Sequence, residues 1–252
     1  HNWPIDPTAE RLSFFIVWLS HYGSANSVST YWSNTYLSGL RHNLAPFYPE
    51  FDEVRNSHLV QRTISGAKRL WGTPTRTKQA VQLADLYSLI NSLPPPHLRT
   101  HDDHLRCCLT LIAFFGVMRL GELLWPDSHH LRDWNKVISR SSVHFFTTHA
   151  SFRLKVHKTD HTLRGLEKVI MRRDDLLCPV QALHRYLCSR DASPLLSLRD
   201  PLFILNAGAL PTKSFLIKWV QSNLSSEFAG HSFRSGGATH LALQGLSDSH
   251  IR

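Results

Sequence analysis

Sulfur is scarce in this chain, and the little present has no metal-binding spacing. Its 252 residues hold four cysteines and two methionines. Cys107 and Cys108 are adjacent, Cys178 and Cys188 stand apart, and no C-x-x-C occurs, which excludes a zinc framework or a disulfide scaffold and leaves reduced, packed thiols. Long apolar runs are also missing. The longest uncharged stretch, residues 107–118, is too short to cross a bilayer, and the first residues lack the basic-then-apolar layout of a signal peptide. No membrane association is expected, and an intracellular location follows, nuclear in a eukaryote and cytoplasmic otherwise. There is no initiator methionine and no evident terminal signal, so we expect a piece of a longer protein cut at both ends. Acidic residues are few: 19 Asp and Glu face 28 Lys and Arg, a net charge of +9. Residues 1–75 hold six basic against five acidic side chains, leaving 22 against 14 for residues 76–252. A basic excess confined to one segment points to a polyanionic partner there, without choosing between DNA, RNA and an acidic protein.

What is present is ordinary globular material, 42% hydrophobic, enough for one large or two modest cores. Residues 8–70 read as a small helical bundle. Phe14, Phe15, Trp18 and Leu19 are its expected first apolar face, residues 28–40 a second helix, and residues 59–70 a third ending in Lys68 and Arg69. Turn residues, a proline and two cations from Gly72 to Lys78 read as a linker. The expected division is 1–72 helical domain, 73–80 linker and 81–252 second domain. In the second domain, residues 82–93 form a helix stopped by Pro94, Pro95 and Pro96, and residues 105–125 a buried helix turning near Gly116. Segments 137–146, 151–157 and 166–172 are β-biased, the second alternating Phe152, Leu154 and Val156 with Arg153, Lys155 and His157. They predict a three-stranded antiparallel sheet with one basic face. Helices over 179–188, 212–224 and 233–244 complete a mostly α fold with a small antiparallel β-sheet (α+β).

The residues able to carry chemistry are few. Arg119 sits in Gly116-Val-Met-Arg119-Leu-Gly-Glu122 inside an otherwise apolar stretch, where a guanidinium needs compensation. Glu122, three residues on, shares its face of a helix; the pair is either a plain ion pair or a carboxylate orienting Arg119 toward a phosphate, whose oxygens match the guanidinium fork. His231 and Arg234 come 112 and 115 residues after Arg119, just before a helical run, with Ser232 as expected N-cap and Gly236-Gly237 permitting close backbone approach. A capping histidine and a solvated arginine are the plain alternative. Lys158 ends the second strand at a hairpin tip, and Lys155 is its nearest competitor. His97, His101, Asp102, Asp103 and His104 invite a metal, but their spacing fits no helical zinc motif, and a polar loop capping the next helix accounts for them better. No metal or other cofactor is expected.

In this order, with the hairpin between them, the Arg119 box and the string Gly230-His-Ser-Phe-Arg-Ser-Gly-Gly-Ala-Thr239 resemble the split active site of the tyrosine recombinases (phage integrase family). Residues 29–40 and 59–69 resemble that family's helical core-binding domain, and residues 177–187 its mid-domain helix. The texture is closest to recombinases of fungal mobile elements, including the Crypton type. The resemblance implies DNA cleavage and rejoining through a covalent 3′-phosphotyrosyl intermediate, for integration or site-specific recombination, without metal or nucleotide. It implies that Arg119 and Arg234 neutralise the phosphate oxygens, that His231 hydrogen-bonds the phosphate or takes the nucleophile's proton, that Lys158 is the general acid and that Glu122 supports Arg119. It further implies double-stranded DNA encircled by two domains, and a tetramer on DNA. Arg41, Lys68, Arg69, Arg76, Lys78 and Lys213 are the candidate DNA-backbone contacts.

The departure from the family pattern concerns the nucleophile. The family places a His or Trp box and then a tyrosine after the second arginine; 18 residues follow Arg234 and none is tyrosine. Tyr22, Tyr31, Tyr36, Tyr48, Tyr87 and Tyr186 all precede it. No nucleophile is assigned, and the chain as written is not expected to cleave DNA by this route. A catalytically inactive DNA-binding or regulatory protein derived from a recombinase is the competing expectation. A topoisomerase IB-like enzyme would share the chemistry, but the compact layout counts against it.

Overall fold

A computed structural model describes residues 6–22, 30–71, 78–155 and 165–247. The chain divides into two compact units, His1–Arg76 and Thr77–Arg252.

Among the described residues the first unit holds four helices: α1 (Ala9–Tyr22), α2 (Thr30–Leu44), α3 (Phe51–Asn56) and α4 (His58–Trp71). Its core is Leu12, Ile16, Leu37, Phe51, Val60, Ile64 and Ala67. In α4 the buried residues Val60, Ile64 and Ala67 recur at the spacing of one helical stripe. In α1 the expected face is wrong. Leu12, Ile16 and Ser20 point inward, whereas Phe14 and Trp18 are exposed and Phe15 and Leu19 only half-buried. Apolar side chains nearly encircle α1, so their count could not choose a face; the i, i+4 pair Leu12–Ile16 makes it. Ser20 tolerates burial because its hydroxyl donates to the Ile16 carbonyl at 2.6 Å.

The second unit begins its helices with α5 (Leu83–Asn91), whose first turn is closed by the Gln82 amide donating to Asp85 at 2.8 Å, and which ends before the three prolines. Helix α6 (His101–Phe115) is the centre of the core; residues 107–114 are all buried. It starts earlier than expected, because Thr100 and Asp103 form a reciprocal cap. It also stops earlier than expected, at Phe115. Met118 N–H bonds to the Ala113 carbonyl (3.0 Å) and Val117 N–H to that of Phe114 (3.1 Å), the pattern that ends a helix on a left-handed residue. That residue is Val117, with φ of 49°. The chain then restarts in the short helix α7 (Leu120–Leu123).

Strands β1 (His144–Phe145), β2 (His149–Leu154) and β3 (Leu166–Met171) form one antiparallel sheet in the order β1-β2-β3. The β-biased segment 137–146 contributes only the two-residue β1. Its remainder is held in short turns by Arg140 N–H to Asp200 O and by the Ile138 carbonyl accepting from Leu202 N–H, both 2.7 Å. Phe152 and Leu154 are buried as the alternation requires; Val156 and His157 lie outside the described residues. The expected basic face is not uniform: Arg153 stands opposite Glu167, and Val169 and Met171 share its side of the sheet. One basic side chain, Lys168, instead occupies the core-facing side, opposite Phe152 and beside buried Ile170. The unit is completed by α8 (Pro179–Asp191), the single turn α9 (Pro194–Ser197), α10 (Lys213–Asn223) and α11 (Gly230–Leu243). The result is a mostly helical α+β fold with a small sheet, as the pattern of the sequence predicts.

Helix α11 lies against α6 and against the extended segment before α5 with backbone touching backbone. A Cβ at Gly236 would stand 1.9 Å from the Val81 carbonyl oxygen, and one at Gly237 would stand 2.0 Å from that of Phe114. Only glycine permits such an approach.

Candidate functional site

The tight seating of α11 brings the two sequence-distant arginines onto one loop. Arg234 donates from Nη1 to the Val117 carbonyl at 2.6 Å, across 117 residues of sequence. Arg119 stands two residues after Val117 in the same loop, as the N-cap of α7 rather than inside a helix. Its relation to Glu122 therefore differs from the expected helical i, i+3 face. Glu122 accepts the Arg119 backbone N–H at 3.0 Å through one carboxylate oxygen and the Arg119 guanidinium at 3.1 Å through the other. One carboxylate thus fixes both the backbone and the side chain of Arg119. It is the better buried partner, with 10% of its side chain exposed against 34% for Arg119.

Burial, then the nearby Arg119 charge, depresses the Arg234 guanidinium below the ordinary arginine value, while Glu122 opposes them. Two guanidiniums held close enough to repel are a latent anion site, since an arriving anion relieves that repulsion. His231 is exposed in the first turn of α11, three residues before Arg234. Ser232 is not the N-cap: the helix begins at Gly230, and Ser232 lies inside its first turn, accepting the Ala229 N–H on Oγ at 2.9 Å. His231 and Arg234 accordingly project from the helix itself rather than from a preceding loop.

Of the other expected site residues, Lys158 and Arg76 lie outside the described residues. Lys213 adjoins the site. A Cβ at Gly121 in α7 would meet its Nζ at 3.4 Å, and a cleft there is lined by Glu122, Trp125, Lys136 and Lys213. Lys213 is held there because its N–H donates to the Trp125 carbonyl at 3.0 Å. Lys78 donates to the Ser226 carbonyl at 3.1 Å, in the turn leading to α11. In the first unit, Lys68 and Arg69 occupy the last turn of α4, while Arg41 is engaged by the Asp52 carboxylate through Nε and Nη2, both at 2.7 Å.

The histidine and aspartate cluster is absorbed by the fold, though as helix rather than loop. His101 bonds Ser189 and the Ile204 carbonyl, Asp102 accepts the Asn206 N–H, and Asp103 caps α6. Among the described residues no group of three or more His, Cys, Asp and Glu is placed to hold a metal, and no helix is long and apolar enough to cross a membrane. Tyr186 is fully buried; its hydroxyl donates to the Leu202 carbonyl at 3.0 Å and accepts the Ile204 N–H at 2.9 Å. Burial pushes that phenol far above its usual range, so it serves the core.

Sequence reasoning missed Lys168. The charges acting on its half-buried ammonium are Glu122, Arg234 and Arg119, the groups of the site itself; burial lowers its basicity, the arginines add to that, and Glu122 opposes. The available signal was its place between Leu166 and Ile170 at strand period two, which puts a lysine on an apolar face.

No family model matches the sequence, and no curated protein matches it. Solved structures do. The chain is similar to the integrase of transposon Tn1549 in complex with circular intermediate DNA, with a TM-score of 0.55 and 17% identity over 99% of this chain and 77% of that one. It is similar to the XerH site-specific recombinase in a post-cleavage complex with palindromic difH substrate, with a TM-score of 0.59 and 18% identity over 97% of this chain. The chain spans 64% of the length of that XerH structure. At these identities the likeness is one of fold: the chain has the integrase-like α+β architecture of those structures.

Proposed function

We propose that this chain binds duplex DNA and presents one backbone phosphate to Arg119, Arg234 and His231 for the strand cleavage and rejoining of tyrosine recombination. The observation carrying this reading is the convergence of Arg119 and Arg234 on the loop 117–119, with Glu122 holding one and the Val117 carbonyl the other. The solved structures of like fold are DNA complexes of an integrase and a recombinase, which agrees with it. In this reading the arginines neutralise the non-bridging oxygens as charge concentrates on the phosphorane. His231 stands at the exposed lip, where it hydrogen-bonds the phosphate or accepts the nucleophile's proton. Lys158 is assigned protonation of the leaving 5′-oxygen. Lys213, Lys78, Arg76, Lys68 and Arg69 are backbone contacts, and assembly on DNA is tetrameric. The finer placement with fungal Crypton-type elements rests on sequence texture alone.

No tyrosine of this chain is assigned as nucleophile. Tyr186 is committed to the core. The competing reading is a DNA-binding protein of recombinase descent that does not cut. A nicked suicide substrate separates the two: a covalent protein–DNA adduct lost in Arg234→Ala supports recombination, whereas tight binding without adduct supports the second reading. Both readings require salt-dependent duplex binding, with log affinity falling by about 0.9 per phosphate neutralised for each unit of log salt. Salt-insensitive or absent binding sinks both.

A further inference from the structure

Trp125 lines two hollows of the second unit, the cleft it shares with Glu122 and Lys213 and a larger cavity of about 520 Å³ that the proposed reaction does not use. The walls of the larger one come from the segment after α7 and the segment between α9 and α10. Backbone bonds tie these segments together: Trp125 N–H donates to the Pro211 carbonyl at 2.9 Å, and Lys213 N–H to that of Trp125 at 3.0 Å. The cavity is thus part of the fold, and its size is that of an ordinary ligand pocket. Ile204 and Leu210 line it beside two indoles and two guanidiniums. Trp134 meets Trp125 edge to face, with 4.7 Å between ring centroids, yet is 66% exposed. The Arg132 guanidinium lies 5.1 Å over the Trp125 ring; its hydrogen-bond partners are the Pro126 and Asp127 carbonyls and the His129 imidazole. Arg199 is exposed, and its neighbour Leu198 is 91% exposed. No carboxylate lines the cavity, so its two positive charges lack a counterion there. Trp125 Nε1 is buried and has no hydrogen-bond partner among the described residues, whereas buried indole N–H groups normally have one.

We propose that this cavity docks a short segment of a partner protein that carries a carboxylate beside an aromatic or large aliphatic side chain. The apolar side chain fills the hollow against Ile204, Leu210 and the exposed Trp134 ring. The carboxylate pairs with Arg199, and an acceptor oxygen of the segment takes the Trp125 N–H. Charge selects an acidic occupant, and the aliphatic wall selects a protein over a nucleic acid, whose phosphates would meet the arginines and leave Ile204 and Leu210 uncovered. Tryptophan and arginine around an apolar centre are also the composition in which binding energy concentrates at protein interfaces. The site makes no demand on the arginine pocket, and stands whether or not the chain cuts DNA.

The test pans a phage-displayed library of random short peptides against the full chain. Enriched peptides are expected to share an acidic residue adjacent to an aromatic residue or leucine. The consensus peptide, synthesised with a fluorophore, is then titrated by anisotropy. Arg199→Glu and Trp134→Ala should each weaken its binding roughly tenfold while changing the melting temperature little, since both side chains are exposed. A peptide with lysine in place of its acidic residue should bind Arg199→Glu better than wild type, a reversal that damage to the fold cannot produce. Failure to enrich such peptides, binding indifferent to both variants, or absence of the charge reversal overturns the proposal. Binding of duplex or single-stranded DNA that falls in both variants assigns the surface to nucleic acid and overturns it as well. So does a dimer of the chain alone, seen by sedimentation velocity, that Trp134→Ala dissociates.

Discussion

Replacing Gly237 by alanine adds a Cβ 2.0 Å from the Phe114 carbonyl oxygen, where real Cβ contacts are essentially never below 3.0 Å. The atom it meets is helix backbone and cannot rotate aside, so α11 must retreat from α6 by about 1 Å to reach even a tight contact distance. Arg234 lies one turn earlier on α11, and its 2.6 Å bond to the Val117 carbonyl would lengthen to about 3.6 Å under the same shift, past hydrogen-bonding range. Overpacking of this kind destabilises by about 1–3 kcal/mol, and losing a bond to a charged group by a further 1.5–3 or so. Alanine's better helix propensity returns about 0.5–1 kcal/mol. The net loss is roughly 3 kcal/mol, a fall in melting temperature on the order of 6–12 °C for a unit of this size. Calorimetry measures it, with duplex anisotropy beside it to report the displaced arginine. Gly66→Ala in α4 is the control: nothing lies within 4 Å of the point its Cβ would occupy, so the same substitution there should stabilise by about 0.5–1 kcal/mol. A Gly237→Ala variant that melts with wild type and binds DNA as well would refute the claim that the glycine pair sets the arginine pocket.

Tyr186→Phe should destabilise the second unit by about 1–3 kcal/mol in urea unfolding, because it leaves the buried Ile204 N–H without its acceptor, while any strand-transfer chemistry persists. Loss of adduct at full stability would return Tyr186 to the site. Asp103→Asn should cost about 1 kcal/mol at neutral pH by weakening the α6 cap. Burial raises the Asp103 pKa, but the Thr100 bonds and Arg106 outweigh it and leave the value below 3.8. The stabilisation is therefore present above pH 3.8 and is lost as pH falls through the lower folded value; urea midpoints of wild type and variant should converge there. Arg41→Ala should change the salt slope of duplex binding little, since Asp52 already holds that guanidinium; a slope reduced by about 1 would make Arg41 a phosphate contact after all.

The parts of this fold legible in the sequence are those where local chemistry admits one solution. Three prolines had to end α5, and Gly236-Gly237 marked a close approach that the Val81 and Phe114 carbonyls now explain. Hidden features were those settled by tertiary partners. Helix α3 is six residues long and too short for periodicity to announce; it exists because Phe51 fills the core of its unit. The β-bias of 137–146 lost to hydrogen bonds from residues some sixty positions away. Lys168 went unread within the β-biased segment 166–172, and its register with Phe152 puts it on the inward side.

The least legible feature is also the one on which the site depends. A β-branched residue with positive φ is disfavoured, and glycine is the usual occupant of that helix-ending position, so nothing local in Gly116-Val117 announces that valine will adopt it. The surroundings enforce it. A Cβ at Gly116 would meet the Ile112 carbonyl at 2.7 Å, so the neighbour stays glycine, while Val117 and Met118 are buried and tie the turn down. Had the helix run on as its composition suggests, the Val117 carbonyl would have been spent on an intrahelical bond and Arg119 would have continued around the cylinder. Breaking it frees that carbonyl for Arg234 and makes Arg119 a cap residue, held by Glu122 through backbone and guanidinium together. One strained turn thereby orients both arginines.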